Sequence, residues 1–401
     1  MGIILANVPA DLFAGLSVSD SRHTDLRGST VNIRRLFSGL AMASALLLCS
    51  HASARLVTDL AGRQVEVPDH PQRVLLGEGR FVFAMALLDR DDPVQRIVGW
   101  QGELKAQDPY AWGQLLKRFP KAGKVPLVGK TSEASVSPEK IVSLQPDLAI
   151  FGLTGHGPTP TNPMLRALHE AGIPVIFIDF RDKPLLHTVP SMKLLGQALG
   201  REKEAQEYID FYQAHLERVK QIVDPVPQAQ RPRVFVEMLA GVWPACCHTT
   251  GNGSYGDMVQ AAGGVNIVAG LVPGALGDVS MEYLLSHQPD VYVATGSRSE
   301  PGRDGLLIGP GAAPAQSASS LSVLLARGGI RELQAVKSQR AFGIWHAFYN
   351  SPYNVLAIEA LARMFYPQRA AALDPDASLA ELYRRFLTVD GQGTYWTMPA
   401  K

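Results

Sequence analysis

The chain writes one phrase twice. It reads "SPEKIVSLQPDLAI" from Ser137 and "SMEYLLSHQPDVYV" from Ser280. Ten of the fourteen aligned positions are identical or alike in kind. In each copy a short amphipathic segment with Ser at its start reads as a helix. Pro146 and Pro289 end it, because proline has no N–H and clashes with the preceding turn. The apolar run after Asp147 or Asp290 reads as the following strand. A helix–turn–strand unit that recurs predicts two lobes of similar build. Both copies also carry a Glu at the same place, Glu139 and Glu282, in the first helical turn, where an acidic side chain favours the helix dipole.

Around the repeat, β-branched runs alternate with helical patterns. Strands are expected at Arg73–Leu76, Arg96–Gly99, Leu148–Phe151, Val175–Ile178, Arg233–Met238, Val291–Ala294 and Ala341–Ile344. Such alternation predicts an α/β fold with mostly parallel sheets. Between the two copies lies "REKEAQEYIDFYQAHLERVKQIV", in which Ala205, Tyr208, Ile209, Tyr212, Leu216, Val219 and Val223 recur at steps of three and four. No Gly or Pro interrupts it before Pro225, so it predicts one helix roughly 33 Å long. The expected organisation is a leader over 1–54, an N-terminal lobe over 55–200, a connecting helix over 201–224 and a C-terminal lobe over 225–401. Both lobes are Rossmann-like, with a cleft between them.

The leader is "RRLFSGLAMASALLLCSHASA". Arg34 and Arg35 precede an apolar run from Leu36 to Leu48 that is short for a bilayer span, and Ala52-Ser53-Ala54 is a small-x-small cleavage site. A signal peptide over about 32–54, cleaved after Ala54, is the expectation. Leu48, rather than a small residue, precedes Cys49, which argues against lipid anchoring. Residues 1–30 fit no basic leader region, and Val31 is a sensible alternative start. With 38 basic and 37 acidic side chains, the balance points away from nucleic acid as a partner.

Two lobes, one long connecting helix, an export signal and the early "VTDLAGRQVEVPDHPQRVL" together resemble the substrate-binding proteins of ABC importers, in particular the iron-siderophore and cobalamin branch. "GDMVQAAGGVNI" (Gly256–Ile267) supports the resemblance, which covers about Arg55 to Pro367. It implies a monomeric periplasmic protein that takes no cofactor, catalyses nothing and carries a bound metal complex, iron first, as cargo. It also implies that Glu139 and Glu282 dock onto the two halves of an inner-membrane permease that works with an ATPase. Molybdate or tungstate, cobalamin, haem and nickel chelates are alternative ligands. A permease-independent periplasmic store or sensor of metal is the reading from another class.

In open α/β sheets ligands sit beyond the carboxyl ends of the strands, so four segments are candidates for the cleft. "GEGRFVF" (Gly77–Phe83) offers Arg80 and a glycine-rich helix entry suited to an anion. "GLTGHGPTPTNP" (Gly152–Pro163) offers His156, either a ligand contact or a polar loop residue, and Arg181 follows a later strand. "GVWPACCHTTGNGSYG" offers Cys247, His248, Ser254 and Tyr255. Adjacent cysteines are a poor zinc motif, so Cys246 and Cys247 are open to a vicinal disulfide, buried thiols or contact with a bound chelate. "GIWHAFYNSPYNVLAIEA" offers Trp345, His346, Tyr349 and Tyr353, with Ser351 read as the N-cap of the next helix and Pro352 as its first residue. His346 and Tyr349 suit contact with the metal of a bound chelate. "GKVPLVGKTS" misses phosphate-loop spacing, and no nucleophile elbow or HExxH motif occurs.

Overall fold

The computed structural model describes residues 54–400 except 133–134, 155–161, 244–245 and 298–304. Leader residues 1–53 and His156 lie outside the described residues, while Ala54 opens the first strand. The described residues form one compact unit, in which each lobe is built on its own sheet.

An antiparallel hairpin comes first, β1 (Ala54–Thr58) with β2 (Gln64–Pro68). Its turn shows what "TDLAGR" does. The buried Asp59 carboxylate accepts from Ala61 N, Arg63 N and Phe177 N, which fastens the hairpin to the first lobe. That lobe has β3 (Val74–Leu76), β4 (Ile97–Gln101), β5 (Leu127–Gly129), β6 (Leu148–Gly152) and β7 (Val175–Ile178). Every pairing is parallel, in the order β5-β4-β3-β6-β7. Its helices are α1 (Val82–Leu88), α2 (Glu103–Gln107), α3 (Pro109–Arg118), α4 (Pro138–Ser143), α5 (Pro163–Glu170) and α6 (Pro184–Leu199).

The expected long helix is α7 (Glu202–Val223), 22 residues. Its apolar stripe is buried as read, except that Leu216 is half-covered while Phe211 and His215 are buried as well. It packs on α1 and α6 of the first lobe and reaches the second, where Tyr208 Oη donates to Pro352 O and Tyr212 Oη to Asn354 Oδ1 at 2.9 Å.

The second lobe has β8 (Arg233–Glu237), β9 (His248–Thr250), β10 (Val265–Asn266), β11 (Leu276–Asp278), β12 (Val291–Gly296), β13 (Gly309–Pro310), β14 (Ala341–Trp345), β15 (Gly393–Thr394) and β16 (Trp396–Thr397). Its main sheet runs β11-β9-β8-β12-β14-β16 with β10 beside β8, and β13 pairs separately with β15. The central strands β8, β12 and β14 are parallel, and β9, β11 and β16 are antiparallel additions at the edges. Its helices are α8 (Ser254–Ala261), α9 (Met281–Ser286), α10 (Pro314–Leu325), α11 (Gln334–Lys337), α12 (Asn354–Phe365) and α13 (Pro375–Phe386). Each interior strand of both lobes reads VLL-, LAIFG- or VYVATG-like rather than alternating, because helices or loops cover both faces of a parallel sheet.

The repeated phrase becomes the same object in each lobe. Ser137 and Ser280 cap α4 and α9 by accepting from Lys140 N and Tyr283 N, both at 3.2 Å. The strand after each helix then pairs with the first strand of its lobe's sheet, Leu148 opposite Val74 and Val291 opposite Val234. Glu139 and Glu282 stand exposed on these helices, and both carboxyl groups are held below their ordinary value by their own backbone N–H and the cap serine.

Candidate functional site

Two of the predicted cleft segments, after β3 and β14, converge with Arg181 after β7. Arg80 follows β3 and is buried. Its Nη1 donates to Tyr349 Oη of the other lobe, and Nη2 lies 3.2 Å from Glu78 Oε2. Burial works against its charge, but the oxygens of Tyr349, Glu78 and Glu103 raise its basicity overall. Arg181 follows β7 and places its guanidinium 5.9 Å from the Tyr349 ring centre, while that of Arg80 sits 5.1 Å from the same ring. The phenol of Tyr349 is therefore flanked by two cations.

His346 follows β14. Its Nδ1 lies 2.9 Å from Thr295 Oγ1 at the end of β12, and its ring centre is 4.5 Å from that of Tyr349. Thr295 Oγ1 also accepts from Leu239 N at 2.8 Å. Burial, and then the positive fields of Arg80, His248 and Arg181, push the imidazole down to about 3. It is thus neutral across the physiological range, with Nδ1 engaged. Fixing one ring nitrogen in this way is how proteins orient a histidine whose Nε2 meets a metal.

The lobes meet through several bonds around this cluster. Asn350 Nδ2 donates to Glu78 Oε2 at 2.6 Å, Trp345 Nε1 to Asp108 Oδ2 at 2.9 Å, Ser297 Oγ to Gln107 O at 2.8 Å and Tyr353 Oη to Phe83 O at 3.0 Å. Burial pushes the Asp108 carboxyl up to about 6, although Ala111 N and Trp345 both donate to it. The space bounded by Glu78, Phe81, Leu153, Arg181 and Asn350 leaves essentially no room for a water molecule. A larger apolar hollow beside Phe342, Met364 and Trp396 shares no residue with it.

Several expectations change. The glycine-rich entry at Gly77 and Gly79 does not present free N–H groups to a ligand. The buried Glu103 carboxylate accepts from Arg80 N at 2.8 Å, so the chain supplies its own anion there. Burial raises the Glu103 carboxyl, and Arg80 opposes that rise. The helix after "NSP" starts at Asn354, two residues later than the Ser351-Pro352 reading, and His346–Asn350 form a 3-10 turn. Pro352 O is bound by Tyr208, which holds that stretch off the helix. Tyr353 bonds across to the backbone of the other lobe, and Tyr255 Oη donates to Trp345 O from a fully buried position. Both back the site rather than line it. Trp345 likewise braces the lobe junction through Asp108.

The Cys246 and Cys247 sulfurs lie against each other. Cys247 is packed in the second lobe's core. The Glu237 carboxylate is close to both sulfurs but is gripped by Arg327 at 2.8 and 2.7 Å and by Tyr292. His248 is half-exposed, with Nδ1 3.0 Å from Asp278 Oδ1 and the exposed Trp243 ring 5.9 Å away. Ser254 is buried, and its N donates to Arg181 O across the lobes at 3.0 Å. Sequence reading missed Glu78, Glu103, Asp108, Thr295 and Asn350. Glu78 and Asn350 stand inside quoted cleft stretches and Asp108 before Pro109 as a helix cap, while Glu103 and Thr295 left no local signal.

Two lobes on separate sheets, a single helix alongside both and a charged cluster where they meet define a periplasmic binding protein. Residues 95–344 match the model of that family, periplasmic binding protein, and the chain belongs to it. It is a substrate-binding protein of the ABC-importer type. The molybdate-binding protein MolA of Haemophilus influenzae is 23% identical over 381 residues, covering 86% of this chain and 97% of MolA. Among solved structures, the TroA-like periplasmic binding protein FepB from Veillonella parvula superposes with a TM-score of 0.75 at 25% identity, covering 86% of this chain and 99% of that one. A periplasmic heme-binding protein from Pseudomonas aeruginosa gives 0.54 at 18% identity, covering 82% and 99%. Among the described residues no helix is long and apolar enough to cross a membrane.

Proposed function

We propose that the protein is exported by its leader, captures an anionic metal species between its lobes and delivers it to an inner-membrane permease pair through Glu139 and Glu282. The cargo is a small ferric chelate with open coordination positions on the metal. One observation carries this reading. A neutral, oriented His346 and the phenol of Tyr349 stand side by side under two guanidinium groups. Imidazole and phenol supply donors to a metal, and the arginines offset the surplus negative charge of its complex. The long packed helix α7 favours small closing motions over wide ones.

A second reading is a bare oxyanion such as molybdate. The 23% identity to the molybdate-binding protein MolA, along 97% of its length, favours it. A thermal-shift panel of ferric biscatecholate, ferric bishydroxamate, molybdate, tungstate, cobalamin and haem separates these. A ligand at a hundred times its Kd stabilises the fold by about 2.7 kcal/mol. A shift with a ferric chelate supports the first reading, and a shift with molybdate or tungstate alone supports the second. A shift only with cobalamin or haem, or with none of the six, rejects both.

A further inference from the structure

We infer that Arg73 and Arg233 are matched positioning residues that hold the two docking glutamates at the same place on each lobe. The inference rests on the reading that Glu139 and Glu282 dock to the permease. The first lobe ties its repeat to its first strand with one set of bonds. Arg73 Nε donates to Gln145 O at 2.8 Å and Nη2 to Leu144 O at 2.6 Å, both at the carboxyl end of α4. Arg73 N donates back to Asp147 Oδ1 at 2.9 Å, and Asp147 N donates to Arg73 O at 2.9 Å. The second lobe builds the same clamp from distant residues. Arg233 Nη1 donates to Gln288 O at 3.0 Å and Nη2 to His287 O at 3.2 Å, at the end of α9. Arg233 N donates to Asp290 Oδ2 at 2.8 Å, and Asp290 N to Arg233 O at 2.8 Å. The carbonyls gripped occupy equivalent positions of the repeated phrase.

The physical need is plain. α4 and α9 have six residues each, and helices below about 12–15 residues do not hold by themselves. Each is fixed by a serine at its start and a guanidinium on its last carbonyls, where a cation also complements the dipole. The docking carboxylate sits between these two fixings. A partner with two-fold symmetry requires both carboxylates at matched heights, and two clamps on equivalent carbonyls provide that. The aspartates accept from the backbone N–H of Arg73 and Arg233 and so fix the strand start from which each guanidinium reaches the helix end.

The test is a double-mutant cycle for binding of the full protein, without added ligand, to its cognate permease–ATPase complex in nanodiscs. Glu139→Ala should weaken binding about tenfold. Arg73→Ala should weaken it by about threefold or more in the wild type and not at all when Glu139 is already Ala. Arg233 and Glu282 should behave in the same way, and Arg73→Lys should recover part of the loss. Should Arg73→Ala fail to fold, Arg73→Lys and Asp147→Asn take its place in the cycle. Losses that add in the double variant, or no loss from the arginine variants, overturn the positioning role while leaving docking intact. No loss from Glu139→Ala and Glu282→Ala together removes docking itself.

Discussion

His346→Gln is the perturbation whose size follows most directly from the structure. The imidazole is held down to about 3, first by burial and then by Arg80, His248 and Arg181, whereas an unfolded chain returns it to about 6.5. Its folded value is depressed, so the unfolded state takes up the proton first. Stability is intact above about pH 6.5 and is lost as pH falls towards 3. Linkage puts the loss at about 2 kcal/mol by pH 5, with a ceiling of about 4.8 kcal/mol at the lowest pH. Glutamine keeps a donor for Thr295 but does not titrate. Unfolding free energies from urea titrations at about pH 7.5 and about pH 5 should therefore fall by about 2 kcal/mol more in the wild type than in His346→Gln. Parallel falls in the two proteins would refute the claim that His346 is a buried neutral base.

Three further predictions concern its neighbours. Glu78→Gln keeps an acceptor for Asn350 but removes a carboxylate 3.2 Å from Arg80. With Glu78 no longer competing with the ligand for Arg80, calorimetric titration with molybdate or ferric biscatecholate, whichever shifts the melting temperature, should show about tenfold tighter binding, and unchanged or weaker binding rejects that competition. The Asp108 carboxyl is raised to about 6. Its contribution is therefore present below the unfolded value near 3.9 and is lost as pH rises through 6. The wild type should lose about 2 kcal/mol relative to Asp108→Asn between about pH 4 and pH 7, and a constant difference contradicts this. In Gly79→Ala the new Cβ meets Gln101 O at 2.5 Å, so the urea midpoint should drop by the equivalent of about 1–3 kcal/mol. An unchanged midpoint denies the close approach.

The seven expected strands all exist, within two residues of their read boundaries at either end, and α7 runs almost as read. These features are local. A β-branched run or a stripe at helical spacing carries its own signal, and Pro146 and Pro289 mark their own helix ends. The site is legible only in part. Arg80, Arg181, His346 and Tyr349 follow strands, and the rule that ligands lie beyond strand ends finds such residues. Their partners come from far along the chain. Asn350 meets Glu78 and Trp345 meets Asp108, and no spacing in the sequence encodes those meetings. The misplaced start of α12 has the same origin. Ser351-Pro352 has the local form of a cap, but Tyr208 on the connecting helix binds the Pro352 carbonyl and sets the outcome. Glu103 is the sharpest case, because a distant carboxylate took the helix start that local reading offered to a ligand.

The most direct test of the cleft cluster as a metal-species site is elemental analysis of the protein isolated from its native periplasm, wild type beside His346→Ala. Iron in near-stoichiometric amount in the wild type, lost from a variant that melts as a folded protein, is the predicted result, with molybdenum in its place under the oxyanion reading. A wild type free of both metals, or a variant that retains its metal in full, would contradict the account.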